Sequence, residues 1–244
     1  MHPVLIRIGP ITLYGYGLMI ALGFLAAAWD LSRRASAAGL DRDRIQNLAL
    51  AALLVGIVGG RALYVGLNWP QYRSNGWEIF RLDHGGLVFY GGFITGFAAV
   101  LWGIRRNRFP LWKTVDLFVP PLVLAHAFGR VGCFLNGCCY GKLASVPWAV
   151  AFPGEGIPRH PAQLYESAFL VFLFFLLGSL QRRNPRPGTV LLVYGLAYGT
   201  WRFGIEFLRG DNPIMGGGLT LFQWISLPLA GICAWLLLLR TRRK

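Results

Sequence analysis

Apolar residues occur along the chain in seven long runs, separated by short polar segments. Each run is close to the roughly 20 residues that an α-helix needs to cross the hydrocarbon core of a bilayer. An apolar stretch of that length with few charges predicts a membrane-spanning helix rather than a helix of a water-soluble core. The predicted spans are residues 14–31, 47–67, 86–104, 115–135, 162–180, 189–208 and 219–239.

Two of these runs are less regular than the others. The fourth contains Pro120 and Pro121, which remove backbone hydrogen bonds and are expected to interrupt the helix, and it also carries Arg130. The sixth contains Arg202 and Glu206. Hydropathy alone therefore defines these two spans least well, but the whole pattern predicts an all-α polytopic membrane protein with seven transmembrane helices.

Composition supports a membrane protein. Hydrophobic residues make up 55% of the chain and charged residues 14%, with a mean hydropathy of +0.50. A soluble domain carries charge on about a quarter of its residues. Disordered chains are less apolar, and small secreted disulfide scaffolds carry more than four cysteines at this length. No linker divides the chain, so residues 1–244 are expected to form a single transmembrane domain.

The positive residues are distributed unevenly between the two sides of the predicted bundle. The formal net charge is +14, and if the N-terminus is outside, fifteen of the 24 Lys and Arg residues fall in inner segments and six in outer ones. Cytoplasmic loops carry such an excess, so we expect the N-terminus outside and the C-terminus inside. Clustering between apolar runs argues against nucleic-acid binding. The first ten residues lack the basic start of a cleavable signal peptide.

Three arginines lie within predicted spans, at positions 61, 130 and 202. An ionisable group at membrane depth costs about 2.5 to 3.5 kcal/mol if it faces lipid, so it normally faces a cavity or a partner. Glu166 and Glu206 are candidate counter-ions, and such pairs can be purely structural. Three arginines with only two nearby acids favour an anion site, because a guanidinium binds phosphate oxygens through two N–H groups at once.

Arg202, Glu206 and Arg209 are spaced by four and three residues, which places them on one helical face. They form a polar stripe near the outer end of the sixth span. Two interpretations remain open: the stripe binds an anion, or it is an interfacial cluster whose long side chains reach the headgroup level.

His84 stands at the outer mouth of the third span and is followed by Gly85 and Gly86. Glycine lets the backbone approach a ligand closely, and a histidine gains or loses a proton near neutral pH, as a general base must. The alternative is an ordinary polar residue at the membrane interface.

Residues 129–141 form the segment richest in polar residues and glycine at membrane depth, and they include Cys133, Cys138 and Cys139. These cysteines do not form two paired CxxC motifs, so a structural zinc site is not indicated. A disulfide from Cys133 to Cys138 or Cys139 is one interpretation on an oxidising outer face, and buried free thiols are the other. Cys233 lies in an apolar span.

Taken together, the sequence resembles the bacterial prolipoprotein diacylglyceryl transferase family. The resemblance covers most of the chain and rests on segments that occur in the family's order. They are 14–19 (YGYGLM), 60–64 (GRALY), 84–92 (HGGLVFYGG), 129–132 (GRVG) with 136–137 (NG), 160–166 (HPAQLYE) and 202–209 (RFGIEFLR).

The resemblance implies transfer of the diacylglyceryl group from phosphatidylglycerol to the thiol of the lipobox cysteine of a prolipoprotein. The products would be a thioether-linked prolipoprotein and glycerol phosphate, with no metal and no organic cofactor. The expected partners are those two substrates and membrane lipids, and no nucleic acid. The implied location is the bacterial plasma membrane, with the active site opening toward the outer side. A lipid or small-anion transporter and an intramembrane hydrolase are the alternatives.

Site residues follow from the resemblance position by position. The implied catalytic residues are Tyr16, His84, Arg130 and Arg202. The implied substrate-binding residues are Arg61, Arg130, Asn136, Gly141, Arg202, Glu206 and Arg209. The chain departs from the family pattern at Cys133 and Cys138, where well-studied members carry an asparagine and a glutamate. A thiol cannot replace an amide or a carboxylate, so those two roles are not transferred.

Overall fold

The computed structural model describes residues 4–9, 11–73, 75–81, 85–153 and 156–242. The chain folds into two compact units, one made of Met1–Asp30 with Val115–Lys244 and the other of Leu31–Thr114. Nearly all of the described secondary structure is helical, in agreement with the predicted all-α class.

The elements follow one another in a simple order. An antiparallel hairpin of β1 (Val4–Ile8) and β2 (Ile11–Tyr14) precedes the first long helix. A second pair, β3 (Val150–Ala151) and β4 (Pro158–Arg159), is also antiparallel. The helices are α1 (Gly15–Ala37), α2 (Arg42–Leu67), α3 (Trp69–Tyr72), α4 (Phe89–Arg106), α5 (Leu111–Asn136), α6 (Ala162–Arg182), α7 (Thr189–Ile205) and α8 (Leu221–Arg242). Short 3-10 turns cover Gly76–Phe80, Glu206–Leu208 and Gly216–Gly218.

Each of the seven predicted apolar runs overlaps one long helix. Among the described residues, five helices are long and apolar enough to cross a membrane, namely α1, α2, α5, α6 and α8. Of the other two, α7 has only 17 residues and α4 ends on Arg105 and Arg106, which lower its mean hydropathy. Large apolar side chains such as Leu25, Val58 and Phe175 are exposed on the helix surfaces, as expected for helices in contact with lipid.

The expected interruption of the fourth span is wrong. Helix α5 runs without a break from Leu111 to Asn136, with Pro120 and Pro121 buried inside it. Proline is tolerated within membrane helices because neighbouring groups satisfy the backbone atoms that it leaves free. The fourth span is therefore one 26-residue helix that carries Arg130 close to its C-terminal end.

In the unit Leu31–Thr114, glycines let α2 and α4 approach backbone to backbone. A Cβ atom on Gly56 would lie 3.2 Å from the Gly92 carbonyl oxygen, and one on Gly92 would lie 3.0 Å from the Gly56 oxygen. The Thr95 hydroxyl donates across the same contact to the Val55 carbonyl at 3.1 Å. Such small-residue contacts are typical of helix pairs in membranes.

In the other unit, α5, α6 and α7 share a core of buried aliphatic side chains. The core consists of Val119, Val123, Ala127, Leu170, Leu173, Leu177 and Val190. Asp116 on α5 accepts hydrogen bonds from the backbone N–H groups of Gly188 and Leu191 at 2.6 and 2.8 Å. These are donors at the N-terminus of α7 that have no partner within that helix, so Asp116 fixes the start of α7 beside α5.

Candidate functional site

Arg130, close to the C-terminal end of α5, forms a buried ion pair with Glu166 of α6. Its Nη2 donates to Glu166 Oε1 at 2.9 Å, and the glutamate side chain is 1% exposed. Glu166 lies on the first turns of α6, whose start brings it level with the end of α5. The predicted counter-ion is therefore in place.

Two further side chains complete the surroundings of Glu166. The Tyr198 hydroxyl donates to Glu166 Oε1 at 3.0 Å, and His126 Nε2 lies 3.7 Å from the same oxygen. The rings of His126 and Tyr198 meet edge to face, with centroids 5.5 Å apart. One carboxylate thus organises polar groups from α5, α6 and α7.

A second buried cluster surrounds Glu206, at the end of α7. Arg202 Nη2 lies 3.0 Å from Glu206 Oε2, and both side chains are buried. The other oxygen accepts from Thr220 Oγ1 at 2.8 Å and from Asn212 Nδ2 at 2.6 Å. The guanidinium of Arg202 also stacks on the Phe222 ring, 4.6 Å from its centroid. Of the three residues that sequence spacing placed on one helical face, Arg202 and Glu206 are therefore paired. Arg209 does not share that face, because α7 ends at Ile205 and Arg209 is extended.

Arg209 continues this cluster beyond the helix. It binds Asp211 through two hydrogen bonds, from Nε at 3.0 Å and from Nη2 at 2.6 Å, and its Nε lies 4.0 Å from Glu206 Oε2. Burial lowers the pKa of the Arg209 guanidinium, but hydrogen bonding and charge from Asp211 outweigh burial, so its pKa is raised overall. Arg130 and Cys139 also act on it electrostatically, in opposite directions.

Gly141 is joined to the same segment through the backbone. It forms an antiparallel bridge with Arg209, and its N–H donates to the His160 carbonyl at 2.9 Å. A Cβ atom at this position would lie 2.7 Å from both His160 Cβ and the Leu208 carbonyl oxygen. Only glycine fits such an approach, so Gly141 holds the loop after α5 against the end of α7.

The charges in these clusters balance one for one, because Arg130, Arg202 and Arg209 each have a carboxylate partner. The pairing still leaves N–H groups unused. Among the described residues, Arg130 Nε and Arg202 Nη1 are buried without a hydrogen-bond partner. A buried donor without a partner loses the hydrogen bonds that it makes to water, so an acceptor brought to either atom would restore one.

Tyr16, the tyrosine implied by the family pattern, lies close to the start of residues 129–141. The ring of Tyr16 contacts Gly132 of α5, where a Cβ atom would lie 3.1 Å from Tyr16 Cδ2. Asn136, the last residue of α5, is exposed.

Three of the four cysteines lie together at the end of α5, with Cys133 in the last turn of the helix and Cys138 and Cys139 just beyond it. The Sγ atoms of Cys133, Cys138 and Cys139 are all within 4.8 Å of one another, and all four cysteines are free thiols. Hydrogen bonds from the Cys133 and Cys139 thiols lower the pKa of Cys138, against the effect of burial. The arrangement agrees with the free-thiol interpretation rather than with a disulfide.

Arg61 belongs to the unit Leu31–Thr114 and is bound by backbone. It donates five hydrogen bonds, of 2.6 to 3.1 Å, to carbonyl oxygens of the segment after α3, and it is 6% exposed. The acceptors are Glu78, Ile79, Arg81, Gly85 and Gly86. Arg61 therefore holds the chain that leads into α4. His84, for which a catalytic role was expected, lies outside the described residues.

An apolar groove of about 510 Å³ lies beside Arg202 on the surface of α7. Its wall includes the Trp201 and Phe169 rings, which are stacked with centroids 4.3 Å apart and an interplanar angle of 2°. The other lining residues are Ala197, Thr200, Gly204, Ile205 and Leu208. The lining is mainly apolar and aromatic, which is the polarity suited to an acyl chain.

Sequence reasoning missed several residues of these clusters, among them Tyr198, Asp211 and Thr220, and gave His126 no role beside Glu166. Two of them carried a usable signal. His126 precedes Arg130 by four residues, and Tyr198 precedes Arg202 by four, so each lies on the same helical face as its arginine. Asp211 and Thr220 lie in irregular segments, where periodicity predicts nothing about side-chain position.

Comparisons with known proteins agree on one family. A model of that family, described as prolipoprotein diacylglyceryl transferase, matches residues 3–239. A Clostridium tetani (strain Massachusetts / E88) protein is 39% identical over 232 residues, covering 93% of each chain. An Aliivibrio fischeri (strain ATCC 700601 / ES114) protein is 39% identical over 239 residues, covering 94% of this chain and 86% of the relative. Both relatives are named phosphatidylglycerol–prolipoprotein diacylglyceryl transferase.

Proposed function

The chain belongs to the prolipoprotein diacylglyceryl transferase family, and from this premise we propose which of its residues carry out the reaction. The protein is a transferase that moves the diacylglyceryl group from phosphatidylglycerol to a prolipoprotein. The acceptor in our proposal is the thiol of the lipobox cysteine in the signal region. Its sulfur attacks the glyceryl carbon, a C–S bond forms, and the C–O bond to the phosphate breaks.

The leaving group in this scheme is glycerol phosphate, which takes the electron pair of the broken bond. Its growing negative charge is stabilised by the guanidinium groups of Arg130 and Arg202. The observation that carries this assignment is the pair of buried N–H groups, Arg130 Nε and Arg202 Nη1, that the ion pairs leave without a partner. Such fixed donors in a site from which water is excluded stabilise developing charge strongly.

In this proposal the carboxylates orient the arginine side chains, and the arginines still bind the anionic headgroup. Glu206 has Thr220, Asn212 and Arg202 around it, so it fixes the direction in which the Arg202 guanidinium points. Arg209, held by Asp211, supports the headgroup, and one acyl chain occupies the apolar groove, whose lining includes Leu208, the residue before Arg209.

The remaining site residues keep the roles that the family pattern implies. Tyr16 is assigned to catalysis, and Asn136 and Gly141 to the binding of substrate. Arg61 is proposed to act on substrate indirectly, because its donors are engaged by backbone carbonyls. His84 is proposed as the base that accepts the thiol proton.

The arrangement in the membrane is also a proposal. Seven spans, with the N-terminus outside and the C-terminus inside, place the ends of α5 and α7 toward the outer side of the bacterial plasma membrane. The excess of positive residues in the inner loops supports this orientation. A single family model that matches residues 3–239 supports one transferase domain formed by both units.

A lipid-transfer assay with phosphatidylglycerol and a lipobox peptide in detergent tests the assignment. We expect Arg130→Ala to lower the transfer rate by about 10²- to 10³-fold, as removal of an oxyanion-type donor does. Arg130→Lys keeps the positive charge beside Glu166 but lacks Nε, so the rate should remain low while helix content is retained. Arg44→Ala, which removes an exposed surface arginine paired with Asp41, is the control.

Parental transfer rates in Arg130→Ala or Arg202→Ala would refute the role of these residues. The product of the assay distinguishes a transferase from a transporter and from a hydrolase. Only the transferase forms a thioether adduct on the peptide, whereas a transporter leaves phosphatidylglycerol intact and a hydrolase releases its fragments without an adduct. A pH–rate profile that is unchanged by His84→Gln would exclude His84 as the base.

A further inference from the structure

The three thiols at the end of α5, those of Cys133, Cys138 and Cys139, form a compact cluster. The Sγ atoms of Cys138 and Cys139 are 3.7 Å apart, and Cys133 Sγ completes a group in which no two sulfurs are more than 4.8 Å apart. All three side chains are half-buried. The cluster is therefore partly shielded from solvent and partly exposed to it.

The backbone at this point is shaped to bring the sulfurs together. Gly137 has φ 73°, and the Cys138 N–H donates to the Cys133 carbonyl at 3.1 Å, which closes the helix with a left-handed turn. Cys139 also has a positive φ, 64°, which is uncommon for a residue other than glycine. The Gln163 side chain of α6 donates to the Cys138 carbonyl and holds the turn in place.

We propose that Cys133, Cys138 and Cys139 form a three-thiolate site for one thiophilic divalent cation of the Zn²⁺ type. Zinc binds thiolate sulfur at about 2.3 Å in tetrahedral geometry, so two such ligands lie about 3.8 Å apart. The observed separation of Cys138 and Cys139 matches that spacing. Soft sulfur ligands select thiophilic cations over Mg²⁺ and Ca²⁺.

Three protein ligands leave the fourth position of a tetrahedral ion to water or another exogenous group, which is the pattern of open zinc sites. The spacing argument against zinc concerned closed sites with four ligands from two CxxC motifs and does not apply to an open site. Each thiol gives up its proton to solvent when it binds the cation, so binding weakens as the pH falls.

The proposed metal site is argued independently of the proposed roles in the transfer reaction. Cys133 follows Arg130 by three residues on α5, so the bound cation would lie on the same helical face as the proposed anion site. Metal binding is measured without lipid or peptide, so failure of either proposal leaves the other unaffected.

Metal content of the purified full chain provides the first test. The protein is kept anaerobic in detergent with a thiol-free reductant, loaded with Zn²⁺, desalted and analysed by mass spectrometry for zinc. We expect about one Zn²⁺ per chain. In Cys133→Ser and in Cys138→Ser, the affinity for Zn²⁺ should fall by at least about tenfold. Loss of a group that only supports a metal ligand already lowers affinity by about 10- to 100-fold. Cys233→Ser, which removes a buried thiol of α8 against Gly195, should retain the metal.

The second test needs no variant and therefore does not depend on the folding of a mutant. Zn²⁺ should protect Cys133, Cys138 and Cys139 of the parental chain from alkylation, and a chelator should restore their labelling. Equal zinc content in Cys138→Ser and the parental chain would overturn the proposal. So would a disulfide between any two of the three cysteines in cells whose thiols are trapped by alkylation before lysis.

Discussion

Glu166 shows how a single side chain joins three helices. It is 1% exposed and binds Arg130 of α5 and Tyr198 of α7 through one oxygen. Removal of one partner of a buried ion pair leaves the other charge without compensation, which costs more than the pair itself contributes. Glu166 therefore stabilises the fold largely because, without it, the buried charge of Arg130 would have no carboxylate partner.

We accordingly expect Glu166→Ala to lower the free energy of unfolding by about 3–5 kcal/mol. Tyr198→Phe removes only one interhelical hydrogen bond, so it should cost about 0.6 kcal/mol. Unfolding by a denaturing detergent in mixed micelles, followed by circular dichroism, compares the two variants. Equal losses would contradict the view that the ion pair dominates this cluster.

Arg61 illustrates a different use of a guanidinium, because its five hydrogen bonds all go to backbone carbonyls. Lysine has three donors in a different geometry and cannot reproduce them. We expect Arg61→Lys to lower the free energy of unfolding by about 1–2 kcal/mol, through at least two lost bonds at about 0.6 kcal/mol each. Arg44→Lys, at an exposed position, should have no measurable effect, and a loss of the same size there would refute the argument.

At the scale of elements, the contact between α2 and α4 depends on the absence of side chains. A Cβ atom on Gly91 would lie 2.5 Å from the Gly59 carbonyl oxygen and 2.7 Å from Leu63 Cβ. Backbone atoms cannot move aside as a flexible side chain does. Helix α4 must therefore shift as a whole if a methyl group is added there.

We expect Gly91→Ala to lower the free energy of unfolding by about 1–3 kcal/mol, the usual cost of overpacking. Gly66→Ala is the matched control, because Gly66 lies in α2, the other helix of this pair, and nothing is within 4 Å of the position of its Cβ. That variant should be neutral or slightly stabilising, since alanine favours helix. Chemical denaturation of both variants in micelles measures the difference, and equal stability would show that the helices are not in close contact.

The apolar runs predicted where helices occur but not where they end. Helix α1 continues beyond the predicted span to Ala37, because hydropathy marks only the part of a helix that lies in hydrocarbon. Helix α2 begins earlier than predicted, at Arg42, because the Asp41 side chain accepts from the Arg44 N–H and caps it. The buried prolines of α5 were misjudged, since rules for proline in water overstate its effect inside a helical bundle.

The site was predictable to the extent that it lies on helices. Spacing placed Arg202 and Glu206 together, and the structure pairs them. It could not place Asp211, which lies in an irregular segment after the helix. Nor could it bring Gly141 beside Arg209, because the two residues are distant in sequence. Helical spacing also could not predict the three-cysteine cluster, because a tight turn with two positive φ angles creates it.

At the scale of the whole molecule, the charge asymmetry predicts the orientation. We expect a fluorescent protein that matures only in the cytoplasm to be bright when it is fused after the C-terminal residue. An epitope tag at the N-terminus should be digested by protease added to spheroplasts. Both expectations follow from the excess of Lys and Arg in the inner loops. A dark C-terminal fusion together with an N-terminal tag that resists the protease would show that the topology is the opposite of the expected one.

The indole of Trp201 lies in the wall of the apolar groove, stacked on Phe169, and its Nε1 is buried without a partner among the described residues. A hydrocarbon chain that enters the groove changes the polarity around this chromophore. The emission spectrum of the protein thus reports whether the groove is filled. The chain has nine tryptophans, and subtracting the spectrum of Trp201→Phe isolates this signal, so lipid loading can be titrated optically before any bond is made or broken.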